Sequence, residues 1–188
     1  MPPLPPPSER VLRAVGARRL AAGTPTAAEL VSTLRAVARE SEALVALLDA
    51  DAVAGERHLL SAWAHLGRSR QRGAARLRDR AAEFVLYVAG DDQLPRALAK
   101  VGVGAATERF VIVAERPLDP EGLAARFGLV PDAAAYPRPA DAGTLERLGI
   151  GAEERAALPA AAWEGLVLER VALVDLGGAP ARPATSKP

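Results

Sequence analysis

The chain has 188 residues, a length typical of one domain that can bury a substantial core. It contains no cysteine, which excludes disulfides, thiolate metal sites and cysteine nucleophiles. No apolar run approaches the roughly 20 residues that a membrane helix needs, and the first residues do not resemble a signal peptide. We therefore expect a soluble, cytoplasmic protein without a membrane partner.

Positive charge is concentrated in one segment, although the net charge is only +1. Between Arg57 and Arg80 there are seven arginines and one acid, Asp79, which gives +6, whereas the rest of the chain sums to 17 − 22 = −5. Such a segment indicates an anionic partner. The alternative is a solvated helix face in a chain that uses 22 Arg against 2 Lys.

The two ends of the chain are predicted to be disordered tails. Residues 1–8 are rich in proline, and residues 177–188 combine glycine, proline and small polar residues. Residues 9–176 are then expected to form a single domain.

The first predicted elements are a strand, a helix and a second strand. Residues 11–17 are a short apolar run typical of a strand. The sequence Thr-Ala-Ala-Glu at 26–29 fits a capping box, so a helix is predicted over 26–40. Residues 44–53 predict a strand with a buried middle, and Gly55 ends it.

A second helix is predicted from residue 56, and Gly73 is a candidate interruption. Its apolar face carries Leu59, Leu60, Trp63 and Leu66. Another face carries His58, His65, Arg68 and Arg72. Trp63 is expected to lie in the core, as is Phe84 farther along the chain.

The second half of the chain alternates short apolar runs with Gly and Pro. Residues 84–88 fit a buried strand or a buried helix. The periodicity of residues 166–176 likewise fits either a helix or a strand. The remaining expectations are a helix from Pro95 to before Gly102, a strand at 110–114, a short helix at 123–127, a loop at 131–143 and short helices at 144–148 and 153–158. This mixture has no regular βαβ alternation. It favours an α+β fold, a helix-rich domain around a small, mostly antiparallel sheet of three or four strands.

Residue types that carry chemistry are present but not in catalytic patterns. His58 and His65 lie about 10 Å apart along a helix, too far to share one metal ion at bonds of about 2 Å. Asp49 and Asp51 are more typical of a turn at a strand end than of a metal site. Ser61 precedes His65 by one helical turn, but no nucleophile elbow surrounds it. We therefore expect no enzyme, metal site or cofactor.

A set of motif residues resembles a known family, the kinase-binding (TPRKB-type) subunit of the KEOPS complex of archaea and eukaryotes. The matching positions are Ala54, Gly55, His58, Leu59, Glu83, Val85, Leu86, Tyr87, Gly90, Gln93, Leu94, Ala97 and Gly102. The chain departs from the family pattern at Asp91 and Asp92, where a basic residue is common, and at Ala74, where asparagine is usual.

The resemblance implies a role in making threonylcarbamoyladenosine in tRNA. In that complex the chemistry belongs to a carbamoyltransferase and to a small atypical kinase with ATPase activity. The resemblance implies that this chain binds the kinase, meets the other KEOPS subunits indirectly, and binds the single-stranded 3′ end of tRNA. It also implies that residues 83–88 form a helix. The alternative is a kinase adaptor that does not bind tRNA.

Two candidate surfaces follow. The basic segment offers tRNA-binding residues, which are His65, Arg68, Arg72, Arg76 and Arg80; the arginines are spaced by four and would form one stripe on an unbroken helix. The stretch 166–176 carries more apolar residues than one buried face requires, so Leu168, Val171 and Leu173 are predicted to contact the kinase. The alternative for this stretch is complete burial.

Overall fold

The computed structural model describes residues 11–20 and 25–177. The predicted tails lie outside this range except for Gly177. The described residues contain one four-stranded antiparallel sheet in the order β2-β3-β1-β4. Its strands are β1 Leu12–Arg18, β2 Val45–Asp49, β3 Arg109–Glu115 and β4 Val130–Pro131. The predicted α+β class with a small sheet is thus confirmed.

Eight α-helices surround this sheet in the described part of the chain. They are α1 Ala27–Glu40, α2 Glu56–Gln71, α3 Arg80–Ala89, α4 Leu94–Val101, α5 Pro120–Arg126, α6 Ala142–Arg147, α7 Ala152–Ala156 and α8 Trp163–Leu173. None of the helices described here is long and apolar enough to cross a bilayer.

Several boundaries follow local signals. The capping box of α1 is formed as predicted, because the Thr26 hydroxyl accepts the Glu29 N–H while the Glu29 carboxylate accepts the Thr26 N–H. The second strand is shorter than expected. It ends at Asp49, whose side chain accepts the Asp51 N–H at 2.9 Å and turns the backbone into a 3-10 turn, Ala50–Ala52.

Helices cover both faces of the sheet. On one face, Phe110 and Ile112 of β3 pack with residues from α1 and α5. On the other, Val111 and Val113 pack in the larger core with α2, α3, α4, α6 and α8. Because both faces are buried, the strands read as continuous apolar runs instead of alternating ones.

Helix α3 is the most enclosed of the described helices, since every residue from Glu83 to Ala89 is buried. It packs against α2, α4 and α8. The helix begins at Asp79, whose carboxylate accepts the Ala82 N–H, and ends at Gly90. A helix that is buried all round has no polar stripe. For this reason the apolar pattern of residues 84–88 did not distinguish a helix from a strand. The helix implied by the resemblance is confirmed, and residues 166–176 are helical as well, in α8 and a 3-10 turn, Val174–Leu176.

Candidate nucleic-acid interface

The basic segment does not form one continuous helix. Helix α2 ends at Gln71, and Gly73 takes a left-handed conformation with φ +69° that favours glycine. Residues 72–79 form a loop before α3 begins at Arg80. The stripe expected for an unbroken helix is therefore absent: Arg68 lies on α2, Arg76 in the loop and Arg80 at the start of α3.

This loop is bound to a buried carboxylate. The Glu83 side chain is 0% exposed. Its Oε1 accepts the Arg76 backbone N–H at 3.0 Å and lies 3.2 Å from Ser69 Oγ. Its Oε2 lies 2.8 Å from Nη2 of Arg70. The carboxylate thus joins the last turns of α2 to the middle of the loop.

Arg70 extends the same network along the loop. Its Nη2 donates to the carbonyl of Leu77 at 2.7 Å and to that of Arg78 at 3.1 Å. The Ser69 hydroxyl lies 2.9 Å from the Ala74 carbonyl. Arg70 is thus neutralised by Glu83 and held inside the loop. It belongs to the architecture of the basic segment and not to its outer surface.

His65 and Arg76 face the end of α8. His65 Nδ1 lies 2.7 Å from Oδ2 of Asp175, whose other oxygen accepts the Tyr87 hydroxyl at 2.8 Å. Arg76 donates to the Val174 carbonyl. Partial burial of Asp175 opposes ionisation, but hydrogen bonds from Tyr87 and His65 hold the pKa of its carboxyl below the ordinary value. Burial raises the pKa of Tyr87 to about 12, so this phenol stays a hydrogen-bond donor.

Arg80 lies in a different environment from the other predicted tRNA-binding residues. It makes two hydrogen bonds to Glu115, at 2.9 and 3.0 Å, and its guanidinium lies 5.7 Å from the centre of the Trp63 ring. Glu115 is fully buried and also accepts the Leu44 N–H at 3.0 Å. Arg80 therefore ties α3 to the sheet, and it is not part of the surface that Arg68 and Arg76 share with the end of α8.

Two arginines of the segment extend from the loop without such contacts. Arg72 and Arg78 are exposed and form no ion pair or side-chain hydrogen bond with any residue in the described ranges. Arg68 is exposed too, and its charge helps to lower the pKa of Asp175. Arg78 was not in the predicted set, although it belongs to the same basic segment. The candidate interface therefore consists of Arg68, Arg72, Arg76 and Arg78, with His65 beside them.

The predicted kinase-contact residues differ in how deeply they are buried. Leu168 and Leu173 are partly exposed, but Val171 is 0% exposed in the main core. The prediction that Val171 contacts a partner is thus wrong, because Val167, Val171 and Val174 lie on the inward side of α8 and its 3-10 turn. Leu176, which the sequence did not single out, is 82% exposed.

The two histidines lie on the same face of α2, as their spacing of seven predicts, but they differ in burial. His58 is fully buried, where its Nδ1 accepts the Ala54 N–H at 3.1 Å and its Nε2 donates to the Val88 carbonyl at 2.8 Å. Both ring nitrogens are thus used inside the protein. His58 is therefore a core residue that links the start of α2 to the end of α3.

The predicted turn at Asp49 is confirmed, and arginines surround its acids. Asp51 pairs with Arg109 and Arg138, each at 2.6 Å, and Asp49 pairs with Arg147 at 2.9 Å. Asp51 and the three arginines border a shallow cavity of about 430 Å³. Across residues 11–20 and 25–177, no three side chains of His, Asp or Glu are placed to hold a metal ion.

Comparisons with known proteins give no family assignment. No protein-family model matches the chain, and a search of curated proteins finds no significant match. The features of the chain that bear on function are therefore the motif residues and the geometry of the basic segment.

Proposed function

We propose that this chain is a non-catalytic subunit of the KEOPS complex. In this role it binds the small kinase of the complex and recruits tRNA through its single-stranded 3′ end for threonylcarbamoyladenosine modification in the cytoplasm. The motif positions from Ala54 to Gly102 support the proposal. The helical state of residues 83–88, which the resemblance implied and α3 displays, supports it further.

The observation that carries the proposal is the exposed charge between residues 68 and 78. This stretch contains five arginines and no acid. The internal carboxylate of Glu83 neutralises only Arg70. Guanidinium groups bind phosphate oxygens bidentately, and each neutralised phosphate releases counterions. The remaining four arginines suit a nucleic-acid backbone.

Recognition of the bases would rely on the arginines themselves. Phe84 and Tyr87 are buried, and Trp63 lies beside the Arg80 guanidinium. The unstacked bases of a single strand can stack on guanidinium planes in place of aromatic rings. We expect phosphate contacts to dominate the affinity and base identity to modulate it.

A salt titration of tRNA binding tests this proposal. The logarithm of the binding constant should fall with the logarithm of salt by roughly 0.7 per phosphate neutralised on a single strand. Arg72→Ala should reduce that slope by about 0.7 and leave the fold intact, because Arg72 has no described partner to lose. Arg39→Ala is the matched control, since it removes an exposed charge from α1, on the opposite face of the sheet.

The 3′ end is tested with shortened tRNA. Removing the single-stranded tail should weaken binding more than altering the anticodon does. Equal binding of intact and tail-less tRNA would reject the 3′ end as the ligand. Absence of binding at low salt would favour the kinase adaptor, an alternative supported by the protein contacts that already occupy Arg70, Arg76 and Arg80.

A further inference from the structure

Glu83 is a carboxylate without solvent access in the first turn of α3. Burying an ionised carboxylate is unfavourable unless charges and hydrogen bonds compensate it. The partners that compensate it therefore show what the side chain holds in place. All three identified above, Ser69, Arg70 and the Arg76 N–H, belong to the end of α2 or to the loop that follows.

These partners attach the loop at several successive points. Glu83 holds the N–H of Arg76, and Ser69 approaches the carbonyl of Ala74. Arg70, paired with Glu83, holds the carbonyls of Leu77 and Arg78. Glu83, Arg70 and Ser69 together thus hold backbone groups of Ala74, Arg76, Leu77 and Arg78.

The fold of α3 has other supports. Its N-terminus is capped by Asp79, and residues 84–89 are buried against neighbouring helices. The direct side-chain partners of Glu83 in the described residues belong to the end of α2 and to the loop, and one of them, Ser69, also bonds the Tyr87 hydroxyl. Loss of the Glu83 carboxylate is therefore expected to release the loop while the helix remains packed.

We propose that Glu83 is a positioning residue for anion binding, and this inference rests on the proposed function. Together with Arg70 it holds residues 74–78 in a conformation that presents Arg76 and Arg78 to a phosphate backbone. A loop that is ordered before binding loses less conformational entropy when the ligand arrives. Glu83 itself does not touch the ligand.

The variant Glu83→Gln separates this role from simple electrostatics. It keeps an acceptor oxygen but removes the negative charge that pairs with Arg70, and it places amide hydrogens against the guanidinium. Because the variant makes the segment more positive, electrostatics alone would strengthen tRNA binding. Loss of positioning predicts the opposite sign, a roughly tenfold weaker affinity.

Two readouts are measured on the full chain with a tRNA transcript as the probe. Site-resolved hydrogen exchange should become roughly tenfold or more faster at the amides of Ala74 and Arg76, the two N–H groups of residues 74–78 with described hydrogen bonds, with the amides of α3 from Phe84 to Ala89 unchanged. The affinity of Glu83→Gln for the tRNA transcript should be roughly tenfold weaker than that of the wild-type chain. Glu164→Gln is the charge-matched control, because Glu164 pairs at the surface with Arg57; it should leave loop exchange unchanged and should not weaken tRNA binding.

A second variant tests the other half of the ion pair. Arg70→Met removes the guanidinium and keeps a side chain like the aliphatic stem of arginine, and Arg72→Met is its charge-matched control. Faster loop exchange and a larger affinity loss in Arg70→Met than in Arg72→Met support the positioning role. Unchanged loop exchange, or binding of tRNA by Glu83→Gln as tight as by wild type, would overturn the positioning role and leave the proposed function standing. Absence of tRNA binding by the wild-type chain overturns both this inference and the proposed function.

Discussion

His58 shows how one buried side chain sets a pH dependence. Its imidazole has no solvent access and uses both ring nitrogens, one as acceptor from Ala54 and one as donor to Val88. Burial disfavours the charged form and lowers the pKa of His58 from 6.5 to about 4, although the hydrogen bond to the Val88 carbonyl opposes the shift. A proton on Nδ1 would also oppose the Ala54 N–H. The folded protein therefore holds His58 neutral.

We predict that acidification from pH 6.5 to about pH 4 destabilises the fold. Between pH 6.5 and 4 the unfolded chain binds a proton at His58 that the folded chain does not, so stability is full above pH 6.5 and declines toward pH 4. The loss from this residue should reach about 3 kcal/mol. Because the chain contains two histidines, NMR resolves both imidazoles, and the His58 signals should show a neutral ring at pH 5. Titration of those signals near pH 6.5 would contradict the prediction.

The contact between α3 and α8 depends on a glycine. Gly90 ends α3 in the left-handed region with φ +59°. A Cβ added there would lie 2.8 Å from Cβ of Arg170 on α8. Both the backbone conformation and the close approach therefore disfavour any side chain at this position.

We predict that Gly90→Ala lowers the free energy of unfolding by about 2 kcal/mol, from the left-handed conformation and the forced separation of α3 and α8. Gly67→Ala is the control. Gly67 lies within α2, a methyl group added to it would meet nothing within 4 Å, and alanine there should stabilise the helix by about 0.5–1 kcal/mol. Urea denaturation measures both changes, and equal effects in the two variants would contradict the argument.

At the scale of the whole molecule, α8 and α2 form one side of the domain. Arg57 pairs with Glu164 near the start of both helices, and His65, in the second half of α2, pairs with Asp175 just after α8, so the two helices run in the same direction. Both segments carry exposed apolar side chains, Leu60 on α2 and Leu176 after α8. Within the proposed function, we expect Leu168, Leu173 and Leu176 to contribute to the surface that binds the kinase.

We predict that the chain forms a one-to-one complex with the small kinase of its own organism, and that Leu176→Glu weakens it. The replacement removes an apolar contact from a residue that is 82% exposed, so the monomer should keep its stability. Leu98→Glu, on α4, is the matched control and should co-elute with the kinase on a sizing column as wild type does. Val171→Glu is unsuitable for this test because it places a charge in the core. A wild-type chain that never co-elutes with the kinase would reject the proposed partner.

Local signals in the sequence determined much of the fold. The capping box at Thr26, Pro95 in the first turn of α4 and the apolar run in β3 each specify an element through neighbouring residues. Such signals depend on nearby backbone groups, and they were sufficient for the α+β class and for most helices and strands. They also located the basic segment, because charge can be counted along the chain.

Only the tertiary structure decided which side chains are available to a partner. Arg80 and Glu115 are 35 residues apart, and His65 and Asp175 are 110 apart, so no local pattern pairs them. Burial likewise distinguishes Val171 from Leu168 and His58 from His65, although each pair shares one helix. The physical reason is that desolvation and ion pairing depend on what packs against a residue. That environment is created only when distant segments meet around α3.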